Sequence, residues 1–495
     1  MISLFLKTPS MLRPWLLLSL LTTGLHAADA VLHRTIDLNI GETQQVTFAD
    51  GTKAQVKLLQ VDEQRDAVIN TLAAAVVTVE INGERGQLTC GNYRLPVVIG
   101  GEQVDTPAVR AYMKDSGFDW WVLEKDARVR VWPAGSPWVQ PGSFLYPAKQ
   151  RWFASMTWYS SEPVWRNRPP AAKVYYHAGM DISGAEGMIE VVAATDAVVM
   201  SRGTEAAPGA PHPAVKPRYD VVYLRDSRDW VYRYSHLMSI DPAVRVGGRV
   251  KQGQRLGYIG KEGSSGGWTH LHFHVESLQP SGKWGVEDSY SFLWQAYREQ
   301  YNPAVMAVAR PHQKVLIHKP VTLDASRSWA RQGVRSFEWI LSNGTKAEGP
   351  TVTRVYDRPG FYSEVVKVTD TAGNFDYDFA TVFAFAGAPV ENVGLLAWWV
   401  HATYAPTFGI KPGDPVVFRS RAFNFPSGAD TFDFGDGTPA VTAASNVDSA
   451  EHAANGYGMV IHHYQKPGVY LVRVTRQNPA NGWTATQHLR VQVEP

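Results

Sequence analysis

The chain has 495 residues, of which 44% are hydrophobic and 12% aromatic, and its formal net charge is +2. This length is too great for one hydrophobic core and predicts about three or four domains. The composition argues against long disorder. Because the net charge is near zero and Lys and Arg form no block, the sequence also argues against a nucleic-acid partner. Cys90 is the only cysteine, which excludes an intrachain disulfide.

A secretory signal peptide is predicted at residues 1–30. Lys7 and Arg13 precede an apolar run at residues 15–21, and small residues including Ala27 and Ala30 follow. This is the layout of an export signal, and the run is too short to span a membrane. The cysteine that a bacterial lipoprotein would need after this run is missing, and no later stretch reaches spanning length. We therefore expect a soluble protein that is exported to the periplasm or secreted.

Residues 31–149 are predicted to form an N-terminal β-rich domain. Segments at 46–48, 54–60 and 75–81 favour strands, and Asp50-Gly51 and Asn82-Gly83 supply turns between them.

Seven tryptophans are concentrated between residues 120 and 165. One interpretation is an aromatic platform that stacks on sugars or lines a substrate groove. We favour a tryptophan-rich core and interdomain contact, because aromatic side chains dominate hydrophobic cores. An N-terminal segment that covers a functional groove until it is cleaved is a third alternative, which the sequence leaves open. The seven are Trp120, Trp121, Trp132, Trp138, Trp152, Trp158 and Trp165.

Residues 150–303 are predicted to form a domain built on antiparallel strands, at 187–194, 196–200, 222–224 and 230–234. A rigid sheet of this kind is a good support for side chains that must be placed within a fraction of an ångström. Asn167-Arg-Pro-Pro170 marks a break before it. Residues 208–217 form a proline-rich loop, expected to be a groove wall with His212 on the surface. A helix over 289–301, stopped by Asn302-Pro303, closes the domain.

Three histidines share one face of a strand predicted in this domain. Successive strand side chains point to opposite faces, so three imidazoles lie on one face while three apolar side chains face a core. The alternating residues are His270, Leu271, His272, Phe273, His274 and Val275.

Upstream, His177 and Asp181 flank Ala-Gly-Met, a short flexible spacing that lets an imidazole and a carboxylate converge on one cation. Two histidines and one aspartate make a three-ligand set, which leaves the fourth tetrahedral position for water, as in catalytic zinc sites. Imidazole with carboxylate suits zinc better than magnesium or calcium, which prefer oxygen ligands. The sequence therefore predicts one zinc ion in this domain.

Either motif alone is weak, because an H-x-H pair on a strand is usually an exposed face with two histidines. Together with Tyr234-Ser-His236-Leu, they resemble the lysostaphin-type (LytM-like) zinc metallopeptidases over roughly residues 150–300. The resemblance implies that His177, Asp181 and His272 are the zinc ligands. It also implies that His236 and His270 are the non-ligating, catalytic histidines.

The sequence departs from the family pattern in two places. The family usually has Glu where His274 stands, and the approach to the first histidine of the H-x-H pair, residues 263–269, lacks the usual Gly-Pro. Neither change removes a ligand, so both concern the surroundings of the site and the shape of its groove.

Residues 304–388 and 389–495 are predicted to form two immunoglobulin-like sandwiches, because a unit of roughly 100 residues repeats with strand alternation and glycine turns. These units resemble PKD domains. We assign the shared tyrosines and the Asp436-Gly turn to structure, and not to catalysis or calcium binding. The matching segments are Phe337-Glu-Trp with Phe432-Asp-Phe, Asn343-Gly-Thr345 with Asp436-Gly-Thr438, and Tyr356-Asp-Arg-Pro-Gly-Phe-Tyr362 with Tyr464-Gln-Lys-Pro-Gly-Val-Tyr470.

The family resemblance implies a zinc metalloendopeptidase that cleaves the peptide cross-links of peptidoglycan. No H-E-x-x-H glutamate is present as a base, so His236 and His270 are expected to share proton transfer and oxyanion stabilisation, in an order that the sequence leaves open. Two alternatives remain: a secreted endopeptidase for Gly-rich proteins, and a non-catalytic, peptidase-like binding or adhesion protein of the cell envelope. The sandwiches can bind polysaccharide or protein, or act as spacers or fold supports, which we favour.

Overall fold

The computed structural model describes residues 30–116, 118–166, 173–208, 215–387, 398–425, 428–445 and 456–495. The predicted signal peptide, the break at 167–170 and most of the 208–217 loop with His212 lie outside these ranges. The described part of the chain is mainly β, as predicted, with two α-helices. Neither of these helices is long and apolar enough to cross a membrane.

The N-terminal region contains two antiparallel four-stranded sheets, ordered β1-β8-β7-β6 and β2-β3-β4-β5. Strand β4 shows the expected alternation, with Val77, Val79 and Ile81 fully buried and the residues between them partly exposed. The Asp50-Gly51 and Asn82-Gly83 turns join the predicted strands. The elements are β1 (Arg34–Leu38), β2 (Thr43–Thr47), β3 (Lys53–Arg65), β4 (Leu72–Ile81), β5 (Glu84–Thr89), β6 (Val97–Ile99), β7 (Glu102–Val109), α1 (Ala111–Asp115) and β8 (Ala127–Trp132).

The central region carries a large antiparallel sheet, ordered β15-β14-β16-β17-β21-β12-β9, with β19 added to β14 and β22 to β21; β13-β20-β18 form a second sheet. The elements are β9 (Thr157–Trp158), β10 (Pro163–Arg166), β11 (Lys173–Tyr176), β12 (Met180–Ser183), β13 (Glu190–Val192), β14 (Ala197–Arg202), β15 (Glu205–Ala206), β16 (Val222–Arg225), β17 (Val231–Ser235), β18 (Leu237–Ile240), β19 (Arg249–Val250), β20 (Arg255–Ile259), β21 (His270–Leu278), β22 (Trp284–Val286) and α2 (Tyr290–Tyr301).

Two predictions for this region are refined. The helix begins at Tyr290 and ends at Tyr301, where Asn302 adopts a left-handed conformation (φ 46°) and donates its N–H to the Arg298 carbonyl. The strand predicted at 187–194 is shorter, Glu190–Val192. Its first residues form a turn instead, in which the N–H of Met188 donates to the Ala185 carbonyl.

The tryptophans pack as core and interdomain residues, as we favoured. Trp121 and Trp132 are buried, and Trp152 lies edge-on to Trp294 of α2. Trp158 stacks on His312, which lies beyond α2, with ring centroids 4.6 Å apart. The side chain of Trp165 lies outside the described part of the structure.

The two C-terminal sandwiches share a sheet, ordered β24-β31-β30-β38-β37-β34-β35, in which β30 of the first pairs in parallel with β38 of the second. The strands are β23 (Val305–Met306), β24 (Gln313–Leu316), β25 (Pro320–Asp324), β26 (Trp329–Ala330), β27 (Val334–Ile340), β28 (Lys346–Glu348), β29 (Thr351–Val355), β30 (Gly360–Asp370), β31 (Phe375–Phe385), β32 (Trp399–Ala405), β33 (Pro415–Phe423), β34 (Gly428–Asp433), β35 (Val441–Ser445), β36 (Gly458–His463), β37 (Gly468–Gln477) and β38 (Thr484–Val493).

The repeated tyrosines have the same structural role in both sandwiches. Tyr356 and Tyr464 are buried, and each packs against the second tyrosine of its motif with ring centroids 4.4 and 4.3 Å apart. Asp436 accepts the N–H and the hydroxyl proton of Thr438 at 3.1 and 2.6 Å, which is the geometry of a turn.

Candidate metal centre

The paired strands β12 and β21 place the candidate ligands side by side. Asp181 stands directly opposite His272 in the register, and Ser183 stands opposite His270. The apolar residues of β21, among them Leu271 and Phe273, are fully buried on the other face of the sheet. The histidine face is therefore fixed by the burial of its neighbours, since a slip of one residue would reverse both faces.

Three ligand atoms converge at this point. Nε2 of His177 lies 3.1 Å from Oδ1 of Asp181 and 3.2 Å from Nδ1 of His272, and the Asp181 and His272 atoms are 2.8 Å apart. A tetrahedral zinc ion with bonds of about 2.0–2.1 Å separates its ligand atoms by about 3.4 Å. The three atoms thus form a triangle close to one face of such a tetrahedron, and the remaining vertex is available to a fourth ligand.

The tautomer of His177 also fits a cation. Its Nδ1 lies 3.3 Å from the Tyr159 carbonyl, which can only accept a proton, so the neutral ring carries its proton at Nδ1 and its lone pair at Nε2. That lone pair faces the Asp181 carboxylate and the His272 nitrogen. A positive charge between these atoms would relieve the repulsion, so the donor set fits a metal ion.

Burial and neighbouring charges shift the pKa values of all three candidate ligands. Burial disfavours ionisation of Asp181, but the neighbouring His177 and His270 imidazoles outweigh it and hold the pKa of Asp181 well below its usual value. Burial likewise disfavours the charged form of His177, and the Asp181 carboxylate nevertheless raises the pKa of that imidazole. Burial lowers the pKa of His272. Asp181 therefore remains ionised at neutral pH, as a metal ligand must.

The turn at residues 159–162 anchors His177 through its backbone. His177 donates its N–H to the Glu162 carbonyl at 2.8 Å, and Ser161 donates its N–H to the His177 carbonyl at 2.7 Å. The Glu162 carboxylate accepts the Tyr93 hydroxyl proton at 2.7 Å and lies 2.6 Å from Nδ1 of His312. Sequence reasoning missed this turn, because nothing in the pattern around residue 160 indicates contact with a ligand.

His236 and His270 lie beside the triangle, with ring centroids 4.7 Å apart. Nδ1 of His236 lies 2.6 Å from the Glu262 carbonyl, and Nδ1 of His270 lies 3.1 Å from the Trp268 carbonyl. Each carbonyl can only accept a proton, so each neutral ring presents an unprotonated Nε2. Nε2 of His270 lies 3.4 Å from Oδ2 of Asp181.

The backbone of His236 is held in an unusual conformation, with φ at 67°. Its N–H donates to the buried Asp220 carboxylate at 2.9 Å, and that carboxylate is paired with Arg218. Asp220 was not among the sequence-predicted residues. Local strain held by a buried carboxylate beside a candidate reactive group is typical of functional sites.

His274 is buried on the same strand, but it is not part of the ligand triangle. Its Nε2 lies 3.3 Å from a Glu276 carboxylate oxygen without hydrogen-bond geometry, and its ring centroid is 6.5 Å from that of Trp120. Burial, reinforced by the charge of Arg233, lowers the pKa of His274 to about 3. The residue that replaces the family's usual Glu is thus neutral at pH 7.

The fold and the site together define a multidomain β protein with a buried His–Asp–His cluster on the sheet of its central region. Comparison with known families gives the class. Residues 175–283 match the profile of Peptidase family M23, and residues 302–382 and 401–493 each match a PKD domain profile. The chain thus carries an M23 peptidase domain followed by two PKD domains, in the order that the sequence predicted.

No curated protein sequence matches the chain. Among solved structures, it is similar to Helicobacter pylori Csd3 at 15% identity, over 49% of this chain and 82% of that chain, with a TM-score of 0.19. It is similar to the fibronectin(III)-like modules of Clostridium thermocellum CbhA at 10% identity, over 38% of this chain and 94% of that chain, with a TM-score of 0.15.

Proposed function

We propose that the protein is an exported zinc metalloendopeptidase that hydrolyses the peptide cross-links of peptidoglycan. The observation that carries this proposal is the convergence of Nε2 of His177, Oδ1 of Asp181 and Nδ1 of His272 within 3.2 Å of one another. The peptidase family match supports peptide hydrolysis, and export by the signal predicted at residues 1–30 would bring the enzyme to a cell-wall substrate.

Zinc at this position would supply a Lewis acid for the scissile carbonyl and would lower the pKa of a water molecule to about 7. His177, Asp181 and His272 would hold it, each oriented by a backbone or strand contact described above. The site has three protein ligands, which leaves room for water or substrate.

His236 and His270 would do the proton chemistry. With Nδ1 committed to a backbone carbonyl, each ring has one free nitrogen, Nε2, that can accept a proton from water and return it to the leaving amine. One of the two rings would accept the water proton at Nε2. The other would stabilise the oxyanion as an imidazolium, because only a ring that also carries a proton at Nε2 can donate a hydrogen bond from that atom. His236 and His270 are buried, and Trp268 covers the His270 ring at a centroid distance of 3.9 Å, so bulk water screens their interactions less.

Zinc analysis of the purified full chain, with and without a chelator, tests the metal. The drop in turbidity of isolated cell walls tests hydrolysis, and mass spectrometry of digested muropeptides identifies the bond that is cut. Stoichiometric zinc without any hydrolysis would instead favour a non-catalytic binding protein. Cleavage of Gly-rich proteins but not of muropeptides would move the substrate class to proteins.

The variant His270→Ala tests whether His270 is a proton-transfer residue or a zinc ligand. We expect it to retain zinc and to lose turnover by about a hundredfold or more, because it removes a proton-transfer group but no ligand. The matched control is His463→Ala, which removes an exposed imidazole of the second sandwich and should leave zinc and turnover unchanged. Loss of zinc from His270→Ala would show that the roles of His270 and His272 are exchanged.

A further inference from the structure

The second sandwich lies directly against the segment that leads into the candidate catalytic histidine. We propose that Tyr457, Arg421 and His401 of this sandwich are positioning residues for His270. This inference rests on the proposed function for its kinetic consequence, and on the contacts described below for its structural part.

Tyr457 holds the backbone immediately before His270. Its hydroxyl oxygen accepts the N–H of Thr269 at 3.0 Å and lies 2.7 Å from Nδ1 of His401. Because the oxygen already accepts the Thr269 proton, its own proton is available to the His401 nitrogen. The result is a hydrogen-bonded connection from Tyr457, which immediately precedes β36 of the second sandwich, to Thr269, which immediately precedes β21.

The connection returns to the sheet on the other side of His270. Nε2 of His401 lies 2.9 Å from Oγ of Ser183, and Ser183 stands directly opposite His270 in the β12–β21 register. His401 is fully buried, and burial lowers its pKa well below the usual value, so it bridges as a neutral ring with one donor and one acceptor. Both neighbours of His270, along the chain and across the sheet, are thus tied to the second sandwich.

Arg421 fixes the glycines that precede Thr269. Its guanidinium donates from Nη1 to the Gly267 carbonyl at 2.6 Å and is buried. Gly267 has φ at 78°, and a Cβ placed there would lie 2.8 Å from the same nitrogen. The sequence Gly266-Gly267 is therefore needed both for a left-handed turn and for the close approach of the arginine.

Trp268, the residue after Gly267, contacts the His270 imidazole directly. Its ring stacks on that of His270 with centroids 3.9 Å apart and an interplanar angle of 20°. Two rings of the second sandwich also pack against Trp268. Trp399 and His401 lie edge-on to it, with ring centroids 5.9 and 5.3 Å away. The Trp268 carbonyl also accepts the Nδ1 proton of His270, so the same residue sets both the tautomer and the plane of the ring.

The orientation of a proton-transfer group controls rate more than substrate binding, since a misplacement of about 1 Å can cost about a hundredfold in turnover. We therefore expect Tyr457→Phe, which removes one hydroxyl, to lower kcat about 10- to 100-fold with little change in KM and with zinc retained. The matched control is Tyr404→Phe in the same sandwich. Tyr404 is also buried, and its hydroxyl donates to the Arg490 carbonyl at 2.6 Å.

A second measurement does not depend on activity. Amide hydrogen exchange of the full chain, followed by mass spectrometry of peptides that cover residues 263–272, reports the Thr269 N–H directly. Without its acceptor, this amide should exchange about fivefold faster or more in Tyr457→Phe, and at the wild-type rate in Tyr404→Phe. Arg421→Lys, which shortens the reach to Gly267, provides the same readouts if Tyr457→Phe does not fold.

The outcomes are distinct. Faster exchange at 263–272 together with a kcat loss specific to Tyr457→Phe supports the inference. Equal kcat in Tyr457→Phe and Tyr404→Phe, with wild-type enzyme active, overturns the positioning role. Wild-type protein without hydrolytic activity refutes the proposed function instead. In that case the exchange of residues 263–272 in Tyr457→Phe decides the structural part of the inference: an unchanged rate overturns it, and a faster rate supports it.

Discussion

A buried ionic network joins the N-terminal region to the peptidase domain, and its removal should be costly. Arg130 on β8 pairs with Asp105 through Nε at 2.9 Å and with Glu287 through Nη1 at 2.7 Å. It also donates to the Asp288 carbonyl at 2.6 Å. Glu287 and Asp288 follow β22, and the Asp288 carboxylate accepts the hydroxyl proton of Tyr159, whose carbonyl faces His177.

The variant Arg130→Met keeps the length of the side chain and removes the charge. It removes the guanidinium from the partly buried Asp105 and from the buried Glu287, which keeps the His33 imidazole at 3.4 Å, and breaking a buried pair of this kind costs about 3–5 kcal/mol. Typical domains are stable by about 5–15 kcal/mol, so this is a large fraction of the total. The control Arg85→Met removes an arginine whose side chain is 74% exposed and should cost about 1 kcal/mol or less.

Urea unfolding of the full chain, followed by tryptophan fluorescence, measures the difference. Trp132 packs on the Arg130 guanidinium at 5.0 Å and reports this junction. With a urea dependence of up to about 3 kcal/mol per molar, the Arg130→Met midpoint should fall by about 1 M or more. A midpoint within about 0.3 M of the Arg85→Met value would refute the reasoning, and the alternative of an N-terminal segment that covers a groove until it is cleaved would stay open.

Two further predictions concern the metal site and its supporting turn. A chelator should lower the melting temperature of the wild-type protein but not that of Asp181→Asn, because only a native state that binds zinc is stabilised by it. The stabilisation is about 4 kcal/mol when free zinc is at a thousand times its dissociation constant. Equal shifts in the two proteins would contradict the assignment of Asp181 as a ligand. Burial favours protonation of Glu162, but the His312 imidazole and the hydrogen bonds from Tyr159 and Tyr93 outweigh it and lower the Glu162 pKa. A lowered folded-state pKa gives stability that is full above the ordinary value of about 4.3 and is lost as pH falls below it, so wild-type protein should lose more stability than Glu162→Gln between about pH 5 and pH 3. Parallel losses of denaturation midpoint in the two proteins would show that this carboxylate does not contribute.

The local pattern of the sequence was sufficient to predict which face of β21 carries the histidines, whereas the ligand set came from the family resemblance. The alternation of His270, His272 and His274 with apolar residues fixes one face of β21, and burial of Leu271 and Phe273 enforces it. The helix after Asp288 and both sandwiches were also predicted, because their spacing and turn residues are local signals. These features follow from periods of two and of 3.6 residues.

The contacts between regions were not predictable in the same way. Tyr457 and Thr269 are 188 positions apart, and no periodicity in either segment indicates the other. His401 on β32 and Arg421 on β33 stand opposite each other like any buried pair of a sandwich. Their partners in the peptidase domain depend on how the two folded surfaces fit together. We favoured a spacer or fold-support role for the sandwiches, and the structure adds that the second one lines the approach to His270.

The shared sheet of the two sandwiches has a consequence for the order of assembly. Strand β38, residues 484–493, lies between β37 and β30, so neither sandwich has its full complement of neighbours until that strand arrives. Chains emerge from the ribosome from the N-terminus, so the three candidate metal ligands are synthesised roughly two hundred to three hundred residues before β38. If the proposed function and the positioning role of the second sandwich both hold, hydrolytic competence should therefore appear only after β38 has been synthesised and paired.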